Sequence, residues 1–165
     1  MNFQLKYVTI TFLCFISVAL FYGCGKEEKY PIEPVITFKS IDVVGKSNFK
    51  LVFSFTDGDG DIGFPLNDTS VDYNCFVDLS IKSNGTFNVI DFGTGATYSG
   101  IIPDITPKER NKNIKGDITF APQGLFLDSS FFNNPVDTFK MDVYIIDKAG
   151  HKSNAIATPE FLFSR

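Results

Sequence analysis

From Val35 onward the apolar residues recur every second position. Phe49, Leu51, Phe53 and Phe55 alternate with Lys50, Val52, Ser54 and Thr56. Val71, Tyr73, Cys75, Val77, Leu79 and Ile81 alternate with Asp72, Asn74, Phe76, Asp78, Ser80 and Lys82, and Phe139, Met141, Val143 and Ile145 with Lys140, Asp142, Tyr144 and Ile146. A period of two puts one apolar face of a strand on a core and a mostly polar face outside. No stretch after residue 35 sustains a helical stripe for three turns. The pattern predicts strands near 35–43, 48–56, 70–82, 86–92, 97–102, 114–121, 138–146 and 154–163. Ser83-Asn84-Gly85-Thr86 carries Asn-Gly, the signal of a two-residue hairpin turn. Seven to eight short strands without helices predict an all-β domain, a sandwich or barrel, over residues 35–165.

The start of the chain reads differently. Met1 to Lys6 is a short segment with one positive charge, and Tyr7 to Gly23 is apolar apart from Thr9, Thr11 and Ser17. The run ends at Gly23-Cys24 and turns polar at Lys26-Glu27-Glu28-Lys29. A small residue before a cysteine at the end of an apolar run resembles the lipobox of bacterial lipoproteins, with Phe21-Tyr22 where Leu and a small residue are commoner. That resemblance implies a signal peptide over 1–23, a lipidated Cys24, and anchorage in the outer membrane through acyl chains. An uncleaved membrane anchor is the other reading of the same run. Cys24-Gly25-Lys26-Glu27-Glu28 also resembles the surface-export signal of Bacteroidetes-type lipoproteins, which implies exposure at the cell surface. Residues 24–34 hold two prolines and read as a tether.

Charge and cysteines narrow the field. Loss of Lys6 with the leader takes the formal charge from −4 to −5, which argues against a nucleic-acid partner. With Cys14 in the leader and Cys24 lipidated, Cys75 is the lone remaining cysteine, so no internal disulfide is expected. Cys75 lies on the apolar face of its strand and reads as a small buried hydrophobe.

Candidate chemistry is concentrated in Asp57-Gly58-Asp59-Gly60-Asp61-Ile62-Gly63-Phe64. This run and the late Asp147-Lys148-Ala149-Gly150-His151-Lys152-Ser153-Asn154 are similar to two landmarks of immunoglobulin-like domains in Bacteroidetes-type lipoproteins, with His151 where Asn is usual. The resemblance implies an immunoglobulin-like sandwich and brings little function with it. In immunoglobulin order, 48–56 is strand B, 70–82 C, 138–146 F and 154–163 G. The B–C and F–G loops then emerge at one pole, which brings Asp57, Asp59 and Asp61 to Asp147. Strand A begins at that pole too, so the tether should share it.

Crowded carboxylates are relieved by a hard cation with flexible oxygen coordination, and Ca²⁺ suits better than Mg²⁺. The loop is not an EF-hand, because Ile62 stands at the position of the turn glycine and Asp68 at the twelfth position. The competing reading is a turn whose aspartates are solvated or pinned by backbone N–H groups. The long connection Pro122–Pro135 carries Phe126, Phe131 and Phe132, which read either as a partner-binding patch at the far pole or as a plug for the core.

Enzyme signals are absent: no catalytic residue is assigned, and His151, the only histidine, reads as a turn residue. The expectation is a non-enzymatic module for a protein or glycan partner. The alternative is a divalent-metal-dependent hydrolase or glycan-processing accessory using the acidic pole.

Overall fold

The computed structural model describes residues 28–45, 48–68, 70, 73–93, 98–107, 112–121 and 132–164. Residues 1–23, expected as a signal segment, and Cys24, Phe126 and Phe131 lie outside them. The strands are β1 (Val35–Val44), β2 (Asn48–Asp57), β3 (Cys75–Ser83), β4 (Thr86–Val89), β5 (Ile114–Phe120), β6 (Val136–Ile145), β7 (Ile156–Ala157) and β8 (Phe161–Ser164). All described pairings between them are antiparallel. One sheet runs β1-β2-β5; the other runs β4-β3-β6-β7, with β8 also paired to β6. In immunoglobulin letters these are A-B-E and C′-C-F-G, the order of an immunoglobulin-like sandwich. Among the described residues there is no helix, and so none long and apolar enough to cross a membrane.

The core lies between the sheets, where the alternation places it. Phe49, Leu51, Phe53 and Phe55 of β2 are buried against Cys75, Val77 and Leu79 of β3 and Phe139, Met141, Val143 and Ile145 of β6. Phe139 is packed at 5.1 Å from Phe163 and edge-on at 5.6 Å to Phe132, which is itself buried. Phe132 is therefore plug rather than patch. The Cys75 thiol is buried and unpaired, and burial pushes its pKa up to about 12. Asn84 and Gly85 both take positive φ, +51° and +81°, as a type I′ hairpin between β3 and β4 requires.

Three expected strands differ in the structure. Residues 98–102 form no strand: Gly100 makes a single bridge to Cys75, with N–H···O distances of 2.8 and 2.9 Å. The expected strand 70–82 begins at Cys75, and Tyr73 is exposed, whereas Asn74 is buried. Asn74 turns inward because its Oδ1 accepts the Ile102 N–H at 2.6 Å, which breaks the alternation at the strand entrance. The expected strand 154–163 is split into β7 and β8. There Thr158 bonds Met141 twice: its N–H donates to the Met141 carbonyl and its hydroxyl oxygen accepts the Met141 N–H, both at 2.9 Å. Pro159 follows and has no N–H to continue the ladder.

The start of β1 is stitched by Asn154 to the connection between β6 and β7. Its Oδ1 accepts the Ile36 N–H at 2.8 Å and its Nδ2 donates to the Ile36 carbonyl at 2.9 Å. Asn154→Ala strands both groups of a buried residue, and is expected to cost about 1–3 kcal/mol. The denaturant midpoint should fall with an unchanged m-value. An unchanged midpoint would mean that water replaces the amide without loss.

Candidate metal centre

Strand parity builds this site. The inward positions of β2 are Phe49, Leu51, Phe53 and Phe55, and the next inward position is Asp57. The inward positions of β6 run to Ile145, and the next is Asp147. Each strand thus ends its core stripe in a carboxylate, one on each sheet. Asp57 is 0% exposed and Asp147 1% exposed. Asp59 and Asp61 are half-buried between them. Each of these four aspartates offers an oxygen to a group in which all ligand atoms lie within 4.8 Å of one another. The pole anticipated from topology is real, and the four aspartates can hold a metal ion.

The loop is wound around its own carboxylates. Asp57 Oδ2 accepts the Asp61 N–H at 3.0 Å. Asp61 Oδ2 accepts the Ala149 N–H at 3.0 Å, and the Asp61 carbonyl accepts the Lys148 N–H at 3.2 Å, which ties the B–C loop to the F–G turn. Asp147 is held by His151, whose N–H lies 2.7 Å from Oδ1 and whose Nδ1 lies 2.9 Å from Oδ2. Asp147 in turn raises the His151 pKa above the usual imidazole value. His151 is thus the clasp that orients Asp147, a role its position in the turn did not reveal.

What remains after these bonds is the informative part. Asp57 Oδ1, Asp59 Oδ1 and Asp61 Oδ1 are buried and find no hydrogen-bond partner among the described residues. Asp137, a buried aspartate at the other end of β6, shows the contrast: its oxygens take the Asn134 N–H at 2.8 Å and the Asn134 amide at 2.7 Å. A carboxylate used only to pin a turn is satisfied on both oxygens. Asp57 is not. Burial, followed by the charge of Asp59, lifts its pKa to about 6, and the Asp61 and Asp147 carboxylates push the same way. Burial and Asp147 also raise Asp61.

The glycines between the acids are seats for other segments. A side chain on Gly58 would meet the carbonyls of Tyr30 and Pro31, and one on Gly60 the carbonyl of Lys112. Gly60 and Gly63 also take positive φ, +67° and +89°. Ile62 is fully buried beneath the loop, and the Phe64 N–H reaches the Ile102 carbonyl at 2.9 Å. The segment before β1 therefore does share the acidic pole. Hollows lie elsewhere among the described residues. One of about 560 Å³ on the β1-β2-β5 sheet is lined by Thr37, Lys39, Ser54 and Lys115. One of about 240 Å³ is lined by Ile102, Pro103, Ile118 and Phe120.

No protein-family model, curated protein or solved structure matches the chain.

Proposed function

We propose that the protein is a lipid-anchored accessory module of the outer membrane, facing outward, which positions or binds a protein or glycan partner without chemistry of its own. A single Ca²⁺ held by Asp57, Asp59, Asp61 and Asp147 stiffens it. The observation that carries the ion is the set of buried, unpaired carboxylate oxygens on Asp57, Asp59 and Asp61 at the end of β2, gathered within 4.8 Å of an oxygen of Asp147, just past β6 of the other sheet. Antibody domains join strands B and F by a disulfide. Here the one described cysteine is unpaired on β3, and a cation between Asp57 and Asp147 supplies a link between the same two strands. Ca²⁺ tolerates the irregular, carboxylate-rich shell of a loop and a turn, whereas Mg²⁺ demands near-octahedral geometry and keeps its waters.

The anchor rests on Gly23-Cys24 and the apolar run before it, and the outward face on Lys26-Glu27-Glu28. A hydrolase at the acidic pole calls for an open coordination position facing a concave pocket. Support for a closed, structural site comes from its covering: Tyr30 and Pro31 over Gly58, Lys112 over Gly60, and Ala149 bonded to Asp61.

Two measurements test this reading. Calorimetric titration of the EDTA-treated, dialysed protein is expected to show one Ca²⁺ per chain, bound more tightly than Mg²⁺, and Asp59→Asn should weaken it at least tenfold. A titration without heat or saturation removes the ion. For the anchor, Cys24→Ala should move the chain from the membrane fraction to the soluble one; retention in the membrane contradicts lipidation at Cys24.

A further inference from the structure

Of the residues between the proposed anchor and the sandwich, Tyr30 and Pro31 are seated on the candidate ion site itself. The backbone of Tyr30 and Pro31 lies against Gly58, the residue between the first two aspartates, with the Pro31 carbonyl carbon 2.9 Å from where a Cβ would stand. The Tyr30 N–H donates to Asn113 Oδ1 at 3.1 Å, and Glu28 pairs with Lys115 at 2.9 Å. Asn113 stands just before β5, whose first residue, Ile114, pairs with Asp57. The neighbouring Lys112 carbonyl covers Gly60, between the second and third aspartates. Each glycine spacer of the acidic loop is thus the floor for a different segment, and the segment before β1 takes the first.

We propose that the ion acts as a latch on this connection: loading the quartet fixes residues 28–34 against the sandwich, and stripping it releases them. This rests on the ion reading above. Its physical basis is the shape of the loop. With no cation, the buried Asp57 Oδ1 and the unpaired oxygens of Asp59 and Asp61 face like charges at close range, and the repulsion is relieved by spreading the carboxylates. Spreading them rotates the backbone at Gly58 and Gly60, the residues with the fewest steric limits, and so removes the floors that Tyr30 and Lys112 occupy. A bound cation holds the carboxylates together and the floors in place. The latch sets whether the sandwich is held at a fixed angle to what precedes residue 28 or swings on a flexible connection. Coupling of this kind is reciprocal: if the ion favours docking of the segment, docking must favour the ion by the same factor.

The test is amide hydrogen exchange on the full chain in detergent, with Ca²⁺ and with EDTA, read at Tyr30 and across 28–34. Protection of the Tyr30 amide is expected to fall at least tenfold on removal of Ca²⁺, while amides in the centre of β6 change far less. Reciprocity adds a second readout. Gly58→Ala keeps all four aspartates but fills the seat, and Asn113→Ala keeps the seat but removes the acceptor for Tyr30 N–H. Each is expected to weaken Ca²⁺ binding by calorimetry several-fold, and the milder Asn113→Ala serves if Gly58→Ala does not fold. Ca²⁺ binding with equal protection of Tyr30 in both conditions would overturn the latch and leave the ion site standing. Absence of Ca²⁺ binding would overturn both.

Discussion

Asp57→Asn is expected to stabilise the ion-free protein and to destabilise the Ca²⁺-loaded one relative to wild type. In EDTA at pH 7.5 the wild-type Asp57 is ionised, buried and surrounded by Asp59, Asp61 and Asp147. Its folded pKa of about 6 lies above the ordinary value of 3.8. The folded state therefore binds the proton more tightly than the unfolded state, and ionisation opposes folding. The penalty is absent below about pH 4, grows as pH rises toward 6, and is complete above that. At about 1.4 kcal/mol per pKa unit, it amounts to at most about 3 kcal/mol at neutral pH. Asn removes the charge and keeps a carbonyl oxygen for the Asp61 N–H. The variant should thus gain up to about 3 kcal/mol in EDTA at pH 7.5 and nothing at pH 4. With saturating Ca²⁺ the order reverses, because the variant has lost a charged ligand. Urea melts of both proteins at the two pH values, with and without Ca²⁺, check this. A variant less stable than wild type in EDTA would mean that Asp57 is satisfied by groups in the apo protein, and the case for a cation would fall.

Gly63→Ala is the second large effect. Gly63 takes φ of +89°, and a Cβ there would run into the Pro103 carbonyl, with the Ile102 carbonyl 3.0 Å away. The obstacle is backbone belonging to the segment that bridges to Phe64, so it has no rotamer by which to move aside. The left-handed conformation costs an L-residue about 1–2 kcal/mol, and overpacking adds about 1–3 kcal/mol. Together a loss of about 2–5 kcal/mol is expected, enough to unfold a domain of ordinary stability at elevated temperature. Gly150→Ala is the control. It shares the positive φ, at +91°, but nothing lies within 4 Å of the added carbon. Only the conformational cost of about 1–2 kcal/mol should appear. Equal losses at the two positions would show that φ alone matters and that the loop does not press on Pro103.

The fold was legible because the alternation is strong. Phe49 to Phe55 and Phe139 to Ile145 can form only one-sided strands, and the Asn84-Gly85 turn fixes the hairpin between β3 and β4. The meeting of Asp57, Asp59 and Asp61 with Asp147 was legible from topology once the strands were ordered. A sharper signal lies in the same pattern: extending each alternation by one step places Asp57 and Asp147 on the inward face, and hence in the core's end rather than in a solvated loop. Other features could not be read from local pattern. Asn74 is buried by a bond to Ile102, Asn154 by sequence lies far from Ile36, and the Thr158 hydroxyl, just past β7, accepts the Met141 N–H in place of a backbone carbonyl. Each depends on a contact between distant segments, to which period and propensity are blind. The same holds for Gly58 and Gly60, which look like turn formers and serve as floors for Tyr30 and Lys112.

A Ca²⁺ at the acidic pole, as proposed, would join the two sheets and so stabilise the fold. A thermal melt tests it most directly: the protein in excess EDTA, then with Ca²⁺ or Mg²⁺ titrated back. A ligand that binds only the folded state adds about 2.7 kcal/mol at a hundred times its Kd. The midpoint is expected to rise saturably with Ca²⁺, less with Mg²⁺, and in Asp59→Asn only at Ca²⁺ concentrations at least about tenfold higher. A midpoint indifferent to Ca²⁺, Mg²⁺ and EDTA would contradict it.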